Sequence, residues 1–188
     1  MKYLRNEIIL IGPMQIGKTT ISKLLSLKLN KPHVLLDDIR IKYYEEIGYD
    51  SEKANKLFRE EGFFDGIYRY WKPFELYAIK RILKEYSDCI FDFGAGHSVY
   101  EDDEMFNEAK ELLSIFINVI LLLPSEDTEE SLEFLEQRIF NDDETFESYR
   151  INKHFITHHS NYDLCKYIIY VKDKSNDDIV NEICSIYK

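Results

Sequence analysis

The stretch Ile8-Ile-Leu-Ile-Gly-Pro-Met-Gln-Ile-Gly-Lys-Thr-Thr20 decides the fold of this chain. An apolar run leads into Gly12, and Gly17-Lys18-Thr19 follows after four further residues, which gives the pattern G-x-x-x-x-G-K-[ST]. With a buried strand before it and a helix after it, this pattern forms a loop that binds phosphate groups. Its backbone N–H groups make an anion-binding nest at the start of a helix. The sequence therefore predicts that a nucleoside triphosphate binds here.

Each residue type in the loop has a physical reason to be there. Gly12 and Gly17 allow positive φ and a close approach of the backbone to the ligand. Lys18 would reach the β- and γ-phosphates and act in catalysis, and the Thr19 hydroxyl would hold Mg²⁺. The residues that we assign to nucleotide binding from this stretch are Gly12, Gln15, Ile16, Gly17, Lys18, Thr19 and Thr20.

Length, composition and charge limit the possible classes of protein. We expect the 188 residues to form one domain (1–188), and 14 Tyr and 12 Phe argue for an ordered core. A net charge of −11 argues against nucleic acid as a partner, because proteins that bind a phosphate backbone carry a basic face. The chain is expected to be a monomer or a homodimer.

The location of the protein can also be predicted. Three scattered cysteines without a C-x-x-C motif (Cys89, Cys165 and Cys184) indicate free thiols in a reducing compartment. The N-terminal residues contain no long apolar segment, so we expect no signal peptide. The longest apolar stretch, 112–123, is too short to cross a bilayer. We therefore expect a cytoplasmic protein that does not bind membranes.

Apolar runs and amphipathic segments alternate along the whole chain, and this alternation predicts an α/β fold. Because the runs are continuous rather than alternating, they are typical of parallel strands buried on both faces. A long helix is predicted to begin at Lys72-Pro73. Ligands bind at the carboxyl ends of such strands. The residues expected at those ends are Gly12, Asp37, Gly94 and Pro124.

Two carboxylates follow the end of a predicted strand, and a third lies within another strand. In a nucleotide site, Asp37 or Asp38 could hold Mg²⁺ through water or accept the proton of a substrate hydroxyl. The alternative is that Asp38 caps a helix. Asp92 lies within the third predicted strand, where a buried carboxylate needs a partner or a metal. We therefore predict Thr19, Asp37 and Asp92 as metal ligands.

These motifs together make the chain similar to the shikimate kinase family of small P-loop kinases, which is related to nucleoside monophosphate kinases. The resemblance covers most of the chain, from the phosphate loop to the segment before the fifth strand. It implies a P-loop NTPase three-layer sandwich with a five-stranded parallel sheet of order 2-3-1-4-5, flanked by helices and carrying a lid at about 141–160. It also implies that ATP and Mg²⁺ are used to phosphorylate a hydroxyl group of a small-molecule acceptor.

The resemblance also implies roles for individual residues. Asp38 or Asp37 would bind the acceptor and help to take its proton, and the turn Gly94-Ala95-Gly96 would line the acceptor site. Arg69, in Tyr68-Arg69, matches an arginine that binds the acceptor's carboxylate, with Arg59 as a second candidate. Arg138 would pack against adenine. Arg150 is the candidate for a catalytic arginine in the lid.

Two departures from the family pattern affect the predicted substrate. Gln15 stands where the loop usually has a central glycine. His158, four residues before Tyr162, stands where a second acceptor-binding arginine is expected. Replacing arginine with histidine removes a bidentate carboxylate contact. We therefore predict a kinase whose acceptor is not shikimate itself.

Several alternatives remain open from the sequence. The chain could be a nucleoside or nucleotide kinase in which an aromatic cluster at 63–74 stacks on the base, or a regulatory module that binds nucleotide without turnover. His154 and His158 have the i, i+4 spacing of a metal site. Since no third ligand has the right spacing, a polar lid helix is favoured over a structural zinc site.

Overall fold

A computed structural model of the protein describes residues 3–139 and 145–187. The strands in these ranges are β1 (Arg5–Ile11), β2 (His33–Leu35), β3 (Ile90–Asp92), β4 (Phe116–Leu123) and β5 (Tyr167–Tyr170). The helices are α1 (Lys18–Leu29), α2 (Leu36–Glu45), α3 (Ser51–Gly62), α4 (Arg69–Glu85), α5 (Asp103–Leu113), α6 (Thr128–Ile139), α7 (Thr145–Thr157), α8 (His159–Leu164) and α9 (Asn176–Ile186). A π-helical turn spans Phe63–Tyr68, and a 3₁₀ turn spans Ala95–Ser98.

Within the described ranges, the strands form one five-stranded parallel sheet in the order β2-β3-β1-β4-β5, which confirms the predicted fold class. β1 lies at its centre, where Ile9 pairs in register with Phe91 of β3 and with Val119 of β4. The residues from Ile8 to Ile11 are at most 1% exposed. A parallel strand in this position is covered by helices on both faces, and this explains why the run is apolar without alternation.

The carboxyl ends of β1, β2 and β3 bring three segments to one edge of the sheet. The phosphate loop follows β1 and leads into α1, α2 begins directly after β2, and Gly94 is the second residue after β3. Since neighbouring parallel strands end at the same edge, residues far apart in sequence meet there. The candidate functional site lies at this edge.

One local prediction was wrong and a second was incomplete. α4 begins at Arg69, directly after the π-helical turn, so Pro73 lies inside the helix rather than at its start. Because proline has no N–H, Pro73 cannot donate the helical hydrogen bond to the carbonyl oxygen of Arg69, the first residue of α4. The predicted polar lid segment contains α7, whose Ile151, Phe155 and Ile156 are at most 5% exposed. Residues 141–144 of that region lie outside the described ranges.

The three cysteines are unpaired, as expected. Among the helices of the described ranges, none is both long enough and apolar enough to cross a membrane.

Candidate active site

The phosphate loop takes the backbone conformation that its glycines allow. Gly12 has φ 143° and Gly17 has φ 101°, both in the region that favours glycine. A Cβ atom on Gly12 would also collide with the carbonyl oxygen of Leu122 in β4. Gln15, which replaces the usual central glycine, has φ 62°. Gln15 therefore adopts the left-handed backbone conformation that glycine would readily adopt at this position of the loop.

The Lys18 side chain is buried and folds over the loop. Its Nζ donates hydrogen bonds to the carbonyl oxygens of Gly12 (2.9 Å) and Pro13 (2.8 Å). Burial lowers the pKa of Lys18 to about 8, although the charges of Asp92 and Asp37 act to raise it. The ammonium group therefore lies at the mouth of the phosphate nest, where added negative charge would strongly favour its protonated form.

A cavity of about 600 Å³ brings most of the predicted site residues together. Its lining consists of Met14, Gln15, Gly17, Lys18, Thr19, Thr20, Asp37, Asp92, Phe93, Gly94, Ala95 and Arg138. Ile16, by contrast, buries its side chain in the core at 3% exposure, so only its backbone is available to a ligand. The cavity joins the phosphate loop to the turn after β3 in one continuous space.

The structure separates the two adjacent aspartates after β2. Both aspartates are exposed, but Asp37 lines the cavity and lies 3.5 Å from Arg40 Nη1, whereas Asp38 does not line it. Leu35 is the N-cap residue of α2, so the alternative that Asp38 caps this helix is wrong. The two side chains differ because successive helical residues point about 100° apart around the axis.

Asp92 ends β3 beneath the loop and is 1% exposed. Its Oδ2 accepts a hydrogen bond from Ser22 Oγ of α1 (3.3 Å) and lies 3.7 Å from His33 Nε2. A buried carboxylate needs such partners. Asp92 thus faces the same space as Lys18 and Thr19, as its predicted role requires.

The turn at residues 94–96 rests on a buried ion pair that the sequence analysis missed. Lys72 Nζ donates to Glu75 Oε2 (2.6 Å) and to the carbonyl oxygens of Gly96 (2.7 Å) and Val99 (3.1 Å). The side chains of Lys72 and Glu75 are 6% and 3% exposed. The sequence did contain a signal for this pair, namely opposite charges at i, i+3 spacing on an otherwise apolar helix face.

Arg40 and His97 were also missed, and both lie beside Asp37 and the turn. The Arg40 guanidinium lies 5.0 Å from the ring centroid of Trp71, and its buried Nε has no hydrogen-bond partner. His97 is 1% exposed, and neither of its ring nitrogens has a partner. Burial lowers the pKa of His97, which favours its neutral form. These groups offer unused hydrogen-bonding capacity next to the cavity.

Among the predicted arginines, Arg138 reaches the cavity. Its Nη1 donates to the carbonyl oxygen of Gln15 (3.2 Å), and its guanidinium lies 4.2 Å from the ring centroid of Phe134. A planar cation beside the loop suits stacking against a base.

The other predicted arginines lie elsewhere. The Arg69 side chain is 73% exposed and pairs with Asp65, and Arg59 lies in a separate surface groove on α3. Arg150 is exposed and pairs with Glu147 at 3.7 Å. None of these three lines the cavity at the loop.

α7 lies against the loop, and the predicted His158 follows directly after it as the N-cap residue of α8. Met14 N–H donates to Asn152 Oδ1 (2.9 Å), which ties α7 to the phosphate loop. His158 does not line the loop cavity; it lies with His154 next to Glu101, whose Oε1 is 2.6 Å from His154 Nε2. Burial acts to raise the pKa of Glu101, but hydrogen bonds from His154 and Tyr68 outweigh it and hold this pKa at about 2.

The chain is similar to known kinases over nearly its whole length, although no family model matches it. It is 30% identical over 182 residues to a shikimate kinase of Flavobacterium psychrophilum, which covers 96% of this chain and 98% of that protein.

Solved structures share the fold at low identity. The shikimate kinase of Bacteroides thetaiotaomicron has a TM-score of 0.64 at 18% identity, covering 96% of this chain and 97% of its own. A shikimate kinase of Acinetobacter baumannii in complex with shikimate has a TM-score of 0.62 at 16% identity, covering 97% and 92%. A gluconokinase of Sinorhizobium meliloti has a TM-score of 0.58 at 12% identity, covering 99% and 93%.

Proposed function

Because this chain belongs to the shikimate kinase family and is thus an ATP-dependent small-molecule kinase, we propose that it transfers the γ-phosphate in the cavity between the phosphate loop and the turn at residues 94–96. The observation that carries this proposal is the convergence of Lys18, Asp37 and Asp92 on that cavity. The protein forms no covalent bond to the phosphoryl group in such a transfer. It needs cationic and carboxylate groups placed together so that they position the reactants and stabilise the charge.

The loop side of the cavity would bind the nucleotide. Lys18 and the loop N–H groups would hold the β- and γ-phosphates, and Arg138 would stack on the adenine. The Thr19 hydroxyl and the carboxylates of Asp37 and Asp92 line the same space. Since Mg²⁺ prefers oxygen ligands of this kind, this donor set fits the ion, which would neutralise charge on the phosphates.

The turn side of the cavity would bind the acceptor. Asp37, rather than Asp38, would orient the acceptor hydroxyl and accept its proton, because only Asp37 lines the cavity. Gly94 and Ala95 would let the acceptor approach the backbone closely. The lid, at about 141–160, would include α7 and exclude water during transfer, and the whole chain would act as one kinase domain.

The acceptor would be a small hydroxyl compound other than shikimate. Arg69 and Arg59, the arginines considered for a carboxylate contact, lie outside the cavity. Lys72, the cation nearest the turn, already donates to three oxygen atoms. Arg40 lies beside Asp37 at 3.5 Å, so an acceptor would meet at most a single guanidinium at this end of the cavity.

ADP release that depends on both Mg²⁺·ATP and an acceptor tests this function. Separate pools would contain shikimate and other hydroxy acids, sugars, nucleosides and nucleotides, and aminoglycosides. Lys18→Ala serves as the blank, and we expect its kcat to fall by about 10²-fold or more.

The pools separate the possible outcomes. ADP release above the blank with a pool other than shikimate or the nucleosides would support the proposal. Turnover of shikimate or of nucleosides alone would overturn the proposed acceptor class. ATP binding without turnover in any pool would favour a regulatory module.

A further inference from the structure

A second cavity, of about 490 Å³, opens on the other side of the turn at residues 94–96. Its lining consists of Phe64, Tyr68, Arg69, Lys72, Tyr100, Glu101, Asp102, Met105 and His154. None of these residues lines the cavity at the phosphate loop. The space is therefore separate from the proposed nucleotide site, and its polar wall has no role in the proposed reaction.

Two histidines and a carboxylate meet at the edge of this second cavity. One potential ligand atom from each of Glu101, His154 and His158 lies within 4.8 Å of the other two. The His154 and His158 ring centroids are 5.2 Å apart. This proximity agrees with their i, i+4 spacing, because His154 lies in the last turn of α7 and His158 directly follows the helix. Glu101 lies 53 residues earlier in the sequence, between the 3₁₀ turn and α5. Glu101 thus supplies the third ligand for which the sequence spacing around His154 and His158 gave no candidate.

We propose that Glu101, His154 and His158 form a binding site for a divalent transition metal of the Zn²⁺ type. Two imidazoles and one carboxylate suit Zn²⁺, whereas Mg²⁺ prefers oxygen ligands. Zinc sites with three protein ligands keep a fourth position for water or a ligand oxygen. Glu101 and His154 also line the cavity, so this position would be open to a small oxygen-bearing molecule there.

Neighbouring side chains orient two of the three proposed ligands, Glu101 and His154. Tyr68 Oη donates a hydrogen bond to Glu101 Oε1 at 2.9 Å. The rings of Phe64 and Tyr68 pack edge-on against His154, with centroids at 5.3 Å and 5.9 Å. Hydrogen bonds and packing of this kind orient metal ligands and are a regular part of such sites. Small side-chain rotations would then close the three ligand atoms around one ion.

Metal binding would have a defined structural consequence. His158 Nδ1 now accepts a hydrogen bond from Ser160 N–H at 3.2 Å, which caps α8. A neutral imidazole has one lone pair, so His158 cannot coordinate a metal and keep this cap. Metal binding would therefore remove the cap on α8. In its place, the metal would connect the end of α7 to the segment that carries Glu101. We therefore expect filling of the site to raise the melting temperature of the full chain.

Titration with Co²⁺ tests the site independently of kinase activity. Co²⁺ is added to the full chain in excess Mg²⁺, which occupies oxygen-ligand sites, and visible d–d absorption reports binding. We expect one equivalent to bind, Zn²⁺ to displace it, and the absorption to lack the thiolate charge-transfer band that cysteine ligation would give. Glu101→Gln and His158→Asn should each weaken binding by at least about tenfold. Asn is a favoured N-cap residue, so His158→Asn keeps a cap on α8.

His159→Ala is the matched control, because the His159 ring stacks on His158 at 4.7 Å but pairs with Asp163 and is not one of the three proposed ligands. It should bind Co²⁺ as the unmodified protein does. Each variant is compared without metal by circular dichroism and melting temperature, so that misfolding is not read as lost binding. No saturable Co²⁺ binding, a thiolate band, or equal loss in His159→Ala would overturn the proposal. Because the readout is a metal spectrum, a failed kinase assay would leave this result unaffected.

Discussion

A Cβ atom built on Gly94 would lie 2.6 Å from Asp37 Oδ1, so the turn after β3 and the carboxylate after β2 are in direct contact. The same atom would lie 2.6 Å from His97 Nδ1. Because Gly94 has φ −57°, an alanine there is not strained in its backbone, and its effect would come from displacing these two side chains. This contact links two strand ends in the cavity.

Gly94→Ala should therefore lower acceptor turnover much more than nucleotide binding. A displacement of about 1 Å in a positioning group can reduce the rate by about 10²-fold. The measurement is kcat/KM for the acceptor alongside the Kd of ATP. Gly96→Ala is the milder control, since its Cβ would come no closer than 3.3 Å, to Glu75 Oε1. Equal loss in both variants would contradict a specific contact with Asp37.

Asp37→Asn and Asp38→Asn form a matched pair that tests which aspartate acts. Asp37 lines the cavity and Asp38 does not. We expect Asp37→Asn to lower kcat by about 10²-fold or more, the range for loss of a proton-accepting group. Asp38→Asn should change kcat by less than about threefold, as for a surface substitution. Steady-state kinetics at saturating ATP would decide, and similar losses in both would contradict the assignment to Asp37.

Nucleotide binding should take up a proton above pH 8. Burial lowers the pKa of Lys18 to about 8, and bound phosphates would raise it again. Below about pH 7 Lys18 is already protonated, so no uptake is expected there. Above pH 8 the affinity should fall, by at most about tenfold per pH unit, because binding must first protonate the amine.

Calorimetry in buffers of different ionisation enthalpy measures this uptake. Lys18→Arg is the control, because a guanidinium stays charged throughout this pH range. If Lys18→Arg takes up the same number of protons at pH 9 as the unmodified chain, another group is responsible.

Lys72→Met should destabilise the protein by leaving Glu75 buried without its partner. Removing one member of a buried ion pair typically lowers the free energy of unfolding by about 3–5 kcal/mol. Adding Glu75→Gln in the same chain should recover much of this loss, because an amide has no charge to compensate. Urea unfolding of the single and double variants measures both effects. Equal stability of the single variant and the unmodified chain would show that the pair does not support the turn.

The sequence by itself determined the elements whose signals are local. The phosphate loop follows from glycines, lysine and threonine at fixed spacing, and continuous apolar runs identified a parallel sheet. Both patterns reflect backbone conformation and burial along one segment, which the segment's own residues encode. Asp37 and Gly94 could be predicted as strand-end residues because the topology brings such ends together. Asp92 could be predicted as a carboxylate within a buried strand, where it needs a partner or a metal.

Tertiary structure alone decided which side chains meet across segments. Arg69 and Lys72 lie three residues apart on α4, a distance of about 4.5 Å along its axis. That offset leaves Arg69 on the surface with Asp65 and takes Lys72 to the carbonyl oxygen of Gly96. Likewise, no sequence spacing relates Glu101 to His154. Their contact depends on how α7 packs against the turn after β3, and packing is set by the whole core rather than by either segment.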